Sequence, residues 1–354
     1  MPAPVLSAEK ILSELHRFAE KLTAGAKTFE TLREPPCGVS EKVAVYCEDK
    51  LTLYRFRPRV KRPNKVPVLI VYALANRHYM TDLQEDRSMV RGLLDAGQDV
   101  YLIDWGYPDE ADRHLELNDY IGGYLDRCVD EVRHRSGRKR INLLGICQGG
   151  VFSLCYGALH PKKVRNLVVM VTPVDFHAPG SLLSHWARRL DVDLLVDTLG
   201  NVPGELLNWV FLSLKPLRLS GQKYMDMVEL LDNPPAMENF MRMEKWIHDS
   251  PDQAGEAFRQ FLKYFFQANG LVKGKIVLGD RPVKLKKLRM PVLNVYATED
   301  HIVPPASSTA LKEHIGSKDY TEYAFKGGHI GIYVSGRAQK TIPPLIAGWL
   351  ADRS

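Results

Sequence analysis

The chain has 354 residues, 45% hydrophobic and 25% charged, an ordinary globular composition with ample apolar material for a large core. The formal net charge is +6, yet the basic stretches RPRVKRPNK (57–65), RSGRKR (135–140) and KLKKLR (284–289) carry no interleaved aromatics and no nucleic-acid-binding motif. They read as solvated surface charge, or else as an attractor of an anionic substrate such as a nucleotide-bearing thioester, and give no reason to expect a nucleic-acid partner.

Cys37, Cys47, Cys128, Cys147 and Cys155 are odd in number and match neither a zinc spacing nor CxxC. That pattern fits a reduced, cytosolic compartment. No apolar run reaches the roughly 18 residues of a membrane span, and the N-terminus lacks the order of a signal peptide. A cytoplasmic protein with no metal and no membrane span is expected.

In chain order, residues 8–30 form an amphipathic pattern, with Ile11, Leu15, Phe18 and Leu22 on one face and Ser7 as N-cap. Such a helix packs on its own body, or docks to a partner subunit or an apolar surface. EPPCG (34–38) ends it. VAVYCEDKLTLYRF (43–56) predicts a hairpin turning at Glu48-Asp49-Lys50. From there strands at 66–72, 99–104, 141–145 and 166–172 alternate with helices over 84–96, 117–135 and from Cys147 to 159. Continuous apolar strands between helices imply an α/β fold: a mostly parallel sheet with helices on both faces. Residues 176–288 are helix-rich, hold Trp186, Trp209 and Trp246, and show no strand character before GKIVLG (274–279). They read as an inserted helical cap, with the tryptophans as core. Strands return at 291–297 and 319–325, and a helix over 339–351 closes the chain. The expected division is an arm (1–36), a core (37–175 and 289–354) and a cap (176–288).

The chemistry centres on LLGICQGG (143–150). A strand, a sharp turn and a helix make a nucleophile elbow, in which small residues flank a strained nucleophile. Here Gly145 and Gly149 flank Cys147, and the following helix points its positive end at the thiol, favouring the thiolate. The elbow calls for an acid and then a histidine, each in a loop after a strand. Asp300 follows PVLNVYATE and His329 follows YAFKGG, whose glycines free the loop. His329 is the expected base and Asp300 its orienter. Glu299 and His301 flank Asp300 as weaker choices. The expected oxyanion donors are the backbone N–H of Gln148 and that of Ala75 or Asn76, in the loop after strand 66–72. Arg77 and His78 in that loop are either site residues or loop anchors. Cys128 and Cys155 read as core, and Cys37 and Cys47 have no visible partner.

A thiol that attacks a thioester makes another thioester. The acyl enzyme then lies near its substrate in energy, and the acyl group stays activated for a second nucleophile. The residue choice points to acyl transfer, although some hydrolases of this design also carry cysteine.

The chain resembles the polyhydroxyalkanoate synthases, most closely the short catalytic subunit of the class III, two-component enzymes. The resemblance runs nearly end to end through LIVYALANRHYMTDLQEDRS, DVYLIDWGYPD, NLLGICQGG, VTPVDF, GNVPGELLNW, MEKWIHDSPDQAGEAFRQF, EDHIVPP and GGHIGIYVSG. It implies the α/β-hydrolase fold and a catalytic triad on Cys147, Asp300 and His329. It implies (R)-3-hydroxyacyl-CoA as substrate, commonly the 3-hydroxybutyryl thioester, with no cofactor beyond the CoA carried by the substrate. It further implies a second synthase subunit, a homodimer or higher assembly, and association with the surface of polyester storage granules. A cysteine hydrolase of the dienelactone-hydrolase type is the alternative, but those enzymes are much shorter and lack the 176–288 insertion.

Overall fold

The computed structural model describes residues 35–353 and scattered positions between 9 and 23. The described positions of the predicted N-terminal helix are helical, and Leu15 is exposed; Ser7, Ile11, Phe18 and Leu22 lie outside the described residues.

The predicted strands pair into one eight-stranded sheet. They are β1 (Lys42–Glu48), β2 (Leu51–Phe56), β3 (Val68–Val71), β4 (Val100–Asp104), β5 (Ile141–Ile146), β6 (Val164–Met170), β7 (Val292–Ala297) and β8 (Tyr320–Phe325). Their spatial order is β1-β2-β4-β3-β5-β6-β7-β8. β1 and β2 form the predicted hairpin, and β2 joins β4 antiparallel. All pairs from β4 to β8 are parallel. Side chains alternate between two apolar layers, as a doubly covered sheet requires. On β3, Leu69 and Val71 face one layer, while Val68 and Ile70 face the other.

Helices α1 (Met89–Asp95), α2 (Leu125–Ser136) and α3 (Gln148–Leu159) follow β3, β4 and β5. One start differs from expectation. The helix predicted from 84 begins only at Met89, because Asp82–Gln84 and Arg87–Ser88 pair as a tight antiparallel ladder. The Ser88 hydroxyl then accepts the Arg91 N–H at 2.8 Å and caps the helix. The helix predicted from 117 begins there, runs through a π-helical turn over Asp119–Tyr124 and closes at Gly137, whose φ of 65° suits glycine.

Between β6 and β7 the chain is helical over most of its length, including α4 (Pro234–His248). The GKIVLG stretch yields only Val277–Leu278 as strand, paired with Arg281–Pro282 outside the main sheet. The last helix, α5 (Gly336–Ala351), starts earlier than predicted because Ser335 caps it, accepting from the Ala338 N–H. Pro343 on α5 packs against Gly92 of α1, where a side chain would come within 2.7 Å of the ring.

Because β3 to β8 run parallel, the loops after β3, β5, β7 and β8 gather on one edge of the sheet. All three predicted basic runs precede parallel strands, β3, β5 and β7. They therefore occupy the opposite edge, which removes them as direct attractors of a ligand at the strand C-terminal ends.

Candidate active site

Cys147 stands between β5 and α3 with φ 53° and ψ −121°. This left-handed conformation is costly for a residue with a side chain and marks stored strain. The surroundings hold it there. The Cys147 N–H donates to the Met170 carbonyl at 2.9 Å, and its carbonyl accepts from Gly150 at 3.0 Å. Gly149 is obligatory in this packing: a Cβ there would sit 2.1 Å from the Val71 carbonyl oxygen. Glycine thus brings α3 directly against the end of β3.

Asp300 follows β7, and its side chain is almost wholly buried. One carboxylate oxygen, Oδ1, accepts the Ile302 and Val303 N–H groups, each at 2.9 Å. The other, Oδ2, lies 2.7 Å from Nδ1 of His329, in the loop after β8. The two loops are also joined by their backbones, with the Glu299 N–H donating to the Gly327 carbonyl at 2.8 Å. Glu299 is exposed and His301 half-buried. Neither is bonded to His329.

His329 is 5% exposed. Burial works to lower its pKa, but the negative charges of Asp300 and Cys147 outweigh burial and lift it to about 10. Behind His329, the buried hydroxyls of Tyr72 and Tyr333 lie 3.4 Å apart.

Cys147 opens on an apolar cavity of about 270 Å³. Ala75 and Gln148 line it near the thiol, while Phe176, Trp186, Phe211 and Phe261 supply its wall. The backbone N–H groups of Ala75 and Gln148 meet no protein acceptor among the described residues. Asn76 does not line the cavity; its side chain donates to Ser250 Oγ at 2.6 Å. Arg77 and His78 turn away as anchors. Arg77 pairs with Asp104 at 3.0 Å and stacks over Tyr107, and His78 is buried beside Asp104.

Of the tryptophans, Trp246 is buried and donates to the Arg77 carbonyl at 2.9 Å. Trp186 instead lines the cavity and Trp209 is exposed, so the three do not form one core. Cys128 and Cys155 are core residues, and burial pushes the Cys155 thiol up to about 12. No disulfide and no cluster of metal-ligating side chains occurs among the described residues, and none of their helices is long and apolar enough to cross a membrane. Sequence reasoning missed Gln253, which also lines the cavity; it lies within the MEKWIHDSPDQAGEAFRQF block that carries the family resemblance, but nothing in that block singles it out.

A family model described as the alpha/beta hydrolase fold matches residues 66–335. The fold also resembles the crystal structure of a monoacylglycerol lipase from Paleococcus ferrophilus, with a TM-score of 0.56 and 19% identity, covering 86% of this chain and 100% of that one. The chain is thus an α/β-hydrolase-fold protein with a cysteine at the elbow. It is 61% identical to the poly(3-hydroxyalkanoate) polymerase subunit PhaC of Allochromatium vinosum, over 98% of both chains. It is 54% identical to the subunit of the same name from Synechocystis, over 98% of this chain and 94% of that one. The chain belongs to the poly(3-hydroxyalkanoate) polymerases, a family of acyltransferases, as a subunit of the class III type.

Proposed function

We propose that this chain builds polyhydroxyalkanoate from (R)-3-hydroxyacyl-CoA, with the 3-hydroxybutyryl thioester as its main substrate, using Cys147, His329 and Asp300. The observation that carries the reading is a strained cysteine opening on an apolar cavity, backed by a buried His329–Asp300 pair at 2.7 Å.

The Cys147 thiolate attacks the thioester carbonyl. The oxyanion that forms is received by the N–H groups of Gln148 and Ala75. The carbon–sulfur bond to CoA breaks, and His329 gives its proton to the departing CoA thiolate. Cys147 now carries the acyl group as a thioester. His329, held in orientation by Asp300, next takes the proton of a 3-hydroxyl as that oxygen attacks an acyl thioester. One ester bond forms, one thioester breaks, and the released thiol regains the proton.

Residues 176–288 act as a lid over a core of 37–175 and 289–354; the expected arm over 1–36 lies mostly outside the described residues. The apolar wall that this lid contributes limits water and so favours the hydroxyl as second nucleophile. The relatives are named as subunits, which supports action with a second synthase subunit. A homodimer or higher assembly in the cytoplasm, working at the surface of the polyester granule, completes the reading.

The test supplies purified chain with 3-hydroxybutyryl-CoA, with and without the partner subunit, and follows CoA release and product size. Polymer is expected. Stoichiometric free 3-hydroxybutyrate would overturn the reading in favour of a hydrolase.

A further inference from the structure

The loop after β3 is set from two sides at Leu74. Its N–H donates to Oε1 of Gln148 at 3.0 Å, and its carbonyl accepts from Nε2 of Gln253 at 2.9 Å. Gln148 belongs to the elbow. Gln253 belongs to the helical segment between β6 and β7, where its backbone exchanges two hydrogen bonds with Val202, at 2.9 and 2.8 Å. Gln253 is 5% exposed and lines the cavity with Ala75, Cys147 and Gln148.

The Leu74 carbonyl and the Ala75 N–H are the two ends of one peptide group. No cis peptide bond occurs among the described residues, so these dipoles point in opposite directions across the peptide plane. A side chain that holds the carbonyl therefore also aims the N–H. Neighbours of Gln253 are stitched to the same loop. Trp246 donates to the Arg77 carbonyl at 2.9 Å, Tyr79 donates to Asp249 at 2.9 Å, and Asn76 donates to Ser250 at 2.6 Å. The loop and this segment form one hydrogen-bonded unit.

We infer that Gln253 is a positioning residue that aims the Ala75 N–H at the oxyanion, so that the oxyanion hole is complete only while the helical segment is docked. This rests on the Cys147 mechanism proposed above. Its consequence is protective: when the segment lifts and water enters, one oxyanion donor loses its aim. The acyl thioester on Cys147 then survives the opening that substrate exchange requires.

Gln253→Met keeps the length of the side chain and removes the donor. Single-turnover CoA release from 3-hydroxybutyryl-CoA should fall about 10²–10³-fold, the usual loss for one oxyanion donor, with KM within about twofold of wild type, as expected when only transition-state binding is lost. Alkylation of Cys147 by iodoacetamide needs no oxyanion hole and should keep its wild-type rate. Melting curves report whether the variant folds. Gln253→Glu supplies a second route: its carboxylate repels the Leu74 carbonyl, whereas the protonated acid donates to it. Its acylation rate relative to wild type should therefore climb as pH falls. Normal acylation of folded Gln253→Met, or of folded Gln253→Glu at neutral pH, overturns the inference, as does a parallel loss of alkylation, which would assign Gln253 to the elbow itself. If wild-type chain forms no acyl enzyme at Cys147, the mechanism fails and the inference falls with it.

Discussion

Asp300 and His329 meet at 2.7 Å with their side chains 1% and 5% exposed. The Asp300 oxygen not facing His329 is occupied by two backbone N–H groups, so the carboxylate has little freedom to turn. In Asp300→Asn the amide must either turn its NH₂ donor against those donor N–H groups, or turn it to Nδ1, which must then accept, so that the favoured ring tautomer changes. Loss of about 10⁴-fold is usual for this exchange in a triad. If Asp300 chiefly serves the hydroxyl step, elongation should slow more than the first acylation. Rapid-quench measurement of the two steps separates the cases, and equal losses would make Asp300 a plain orienter of His329.

Cys147→Ala removes the proposed nucleophile while leaving the cavity. No acyl enzyme should form with 3-hydroxybutyryl-CoA, as read by intact-protein mass, and polymer synthesis should cease. A normal rate in this variant would take the elbow out of the mechanism. The four other cysteines should stay unacylated: none of them lines the cavity, Cys128 and Cys155 are buried, Cys37 is half-buried and Cys47 is exposed away from it.

The raised His329 pKa makes a prediction about stability. Its value of about 10 in the folded chain lies above the ordinary 6.5. The protonated ring is thus bound more tightly in the folded state, and its contribution is complete below pH 6.5 and gone above about pH 10. His329→Gln lacks that contribution. The stability gap between wild type and this variant should shrink steadily across this window, as measured by urea unfolding at several pH values. A gap that widens with pH would contradict the ion-pair account.

Much of this was legible in the chain because local chemistry dictates it. The β5–Cys147–α3 elbow is continuous in sequence, and its glycines are needed where backbones touch. Asp300 and His329 each closely follow a predicted strand, so a parallel sheet was sufficient to bring them to one edge. The choice between Ala75 and Asn76 was not legible, because it depends on which N–H faces a cavity formed by distant helices. Gln253 was hidden for the same reason: its contact with Leu74 spans 179 positions. The late start of α1 was missed because the Asp82–Ser88 ladder has no hydrophobic period.

Gly149→Ala tests how closely α3 must approach β3. The new Cβ would stand 2.1 Å from the Val71 carbonyl, a backbone atom that cannot swing aside. Overpacking of this kind costs about 1–3 kcal/mol. The denaturation midpoint should fall with the slope unchanged. Because Gln148 rides on the same turn and holds Leu74, acylation should fall as well. An unchanged midpoint would show that α3 has room to move.

The basic runs give the final prediction. Lys61, Arg62, Lys139, Arg140, Lys287 and Arg289 are exposed on loops that precede β3, β5 and β7, whereas Cys147 follows β5. A six-residue strand such as β5 separates the two edges by about 20 Å at roughly 3.3 Å per residue. The screening length at physiological salt is about 8 Å, so these charges contribute little to the field at the cavity. Reversing Lys287 and Arg289 to glutamate should leave KM for 3-hydroxybutyryl-CoA within about twofold at 0.15 M salt. A severalfold rise that high salt abolishes would instead show that the CoA phosphates reach around to this edge, and the path of the substrate would need redrawing.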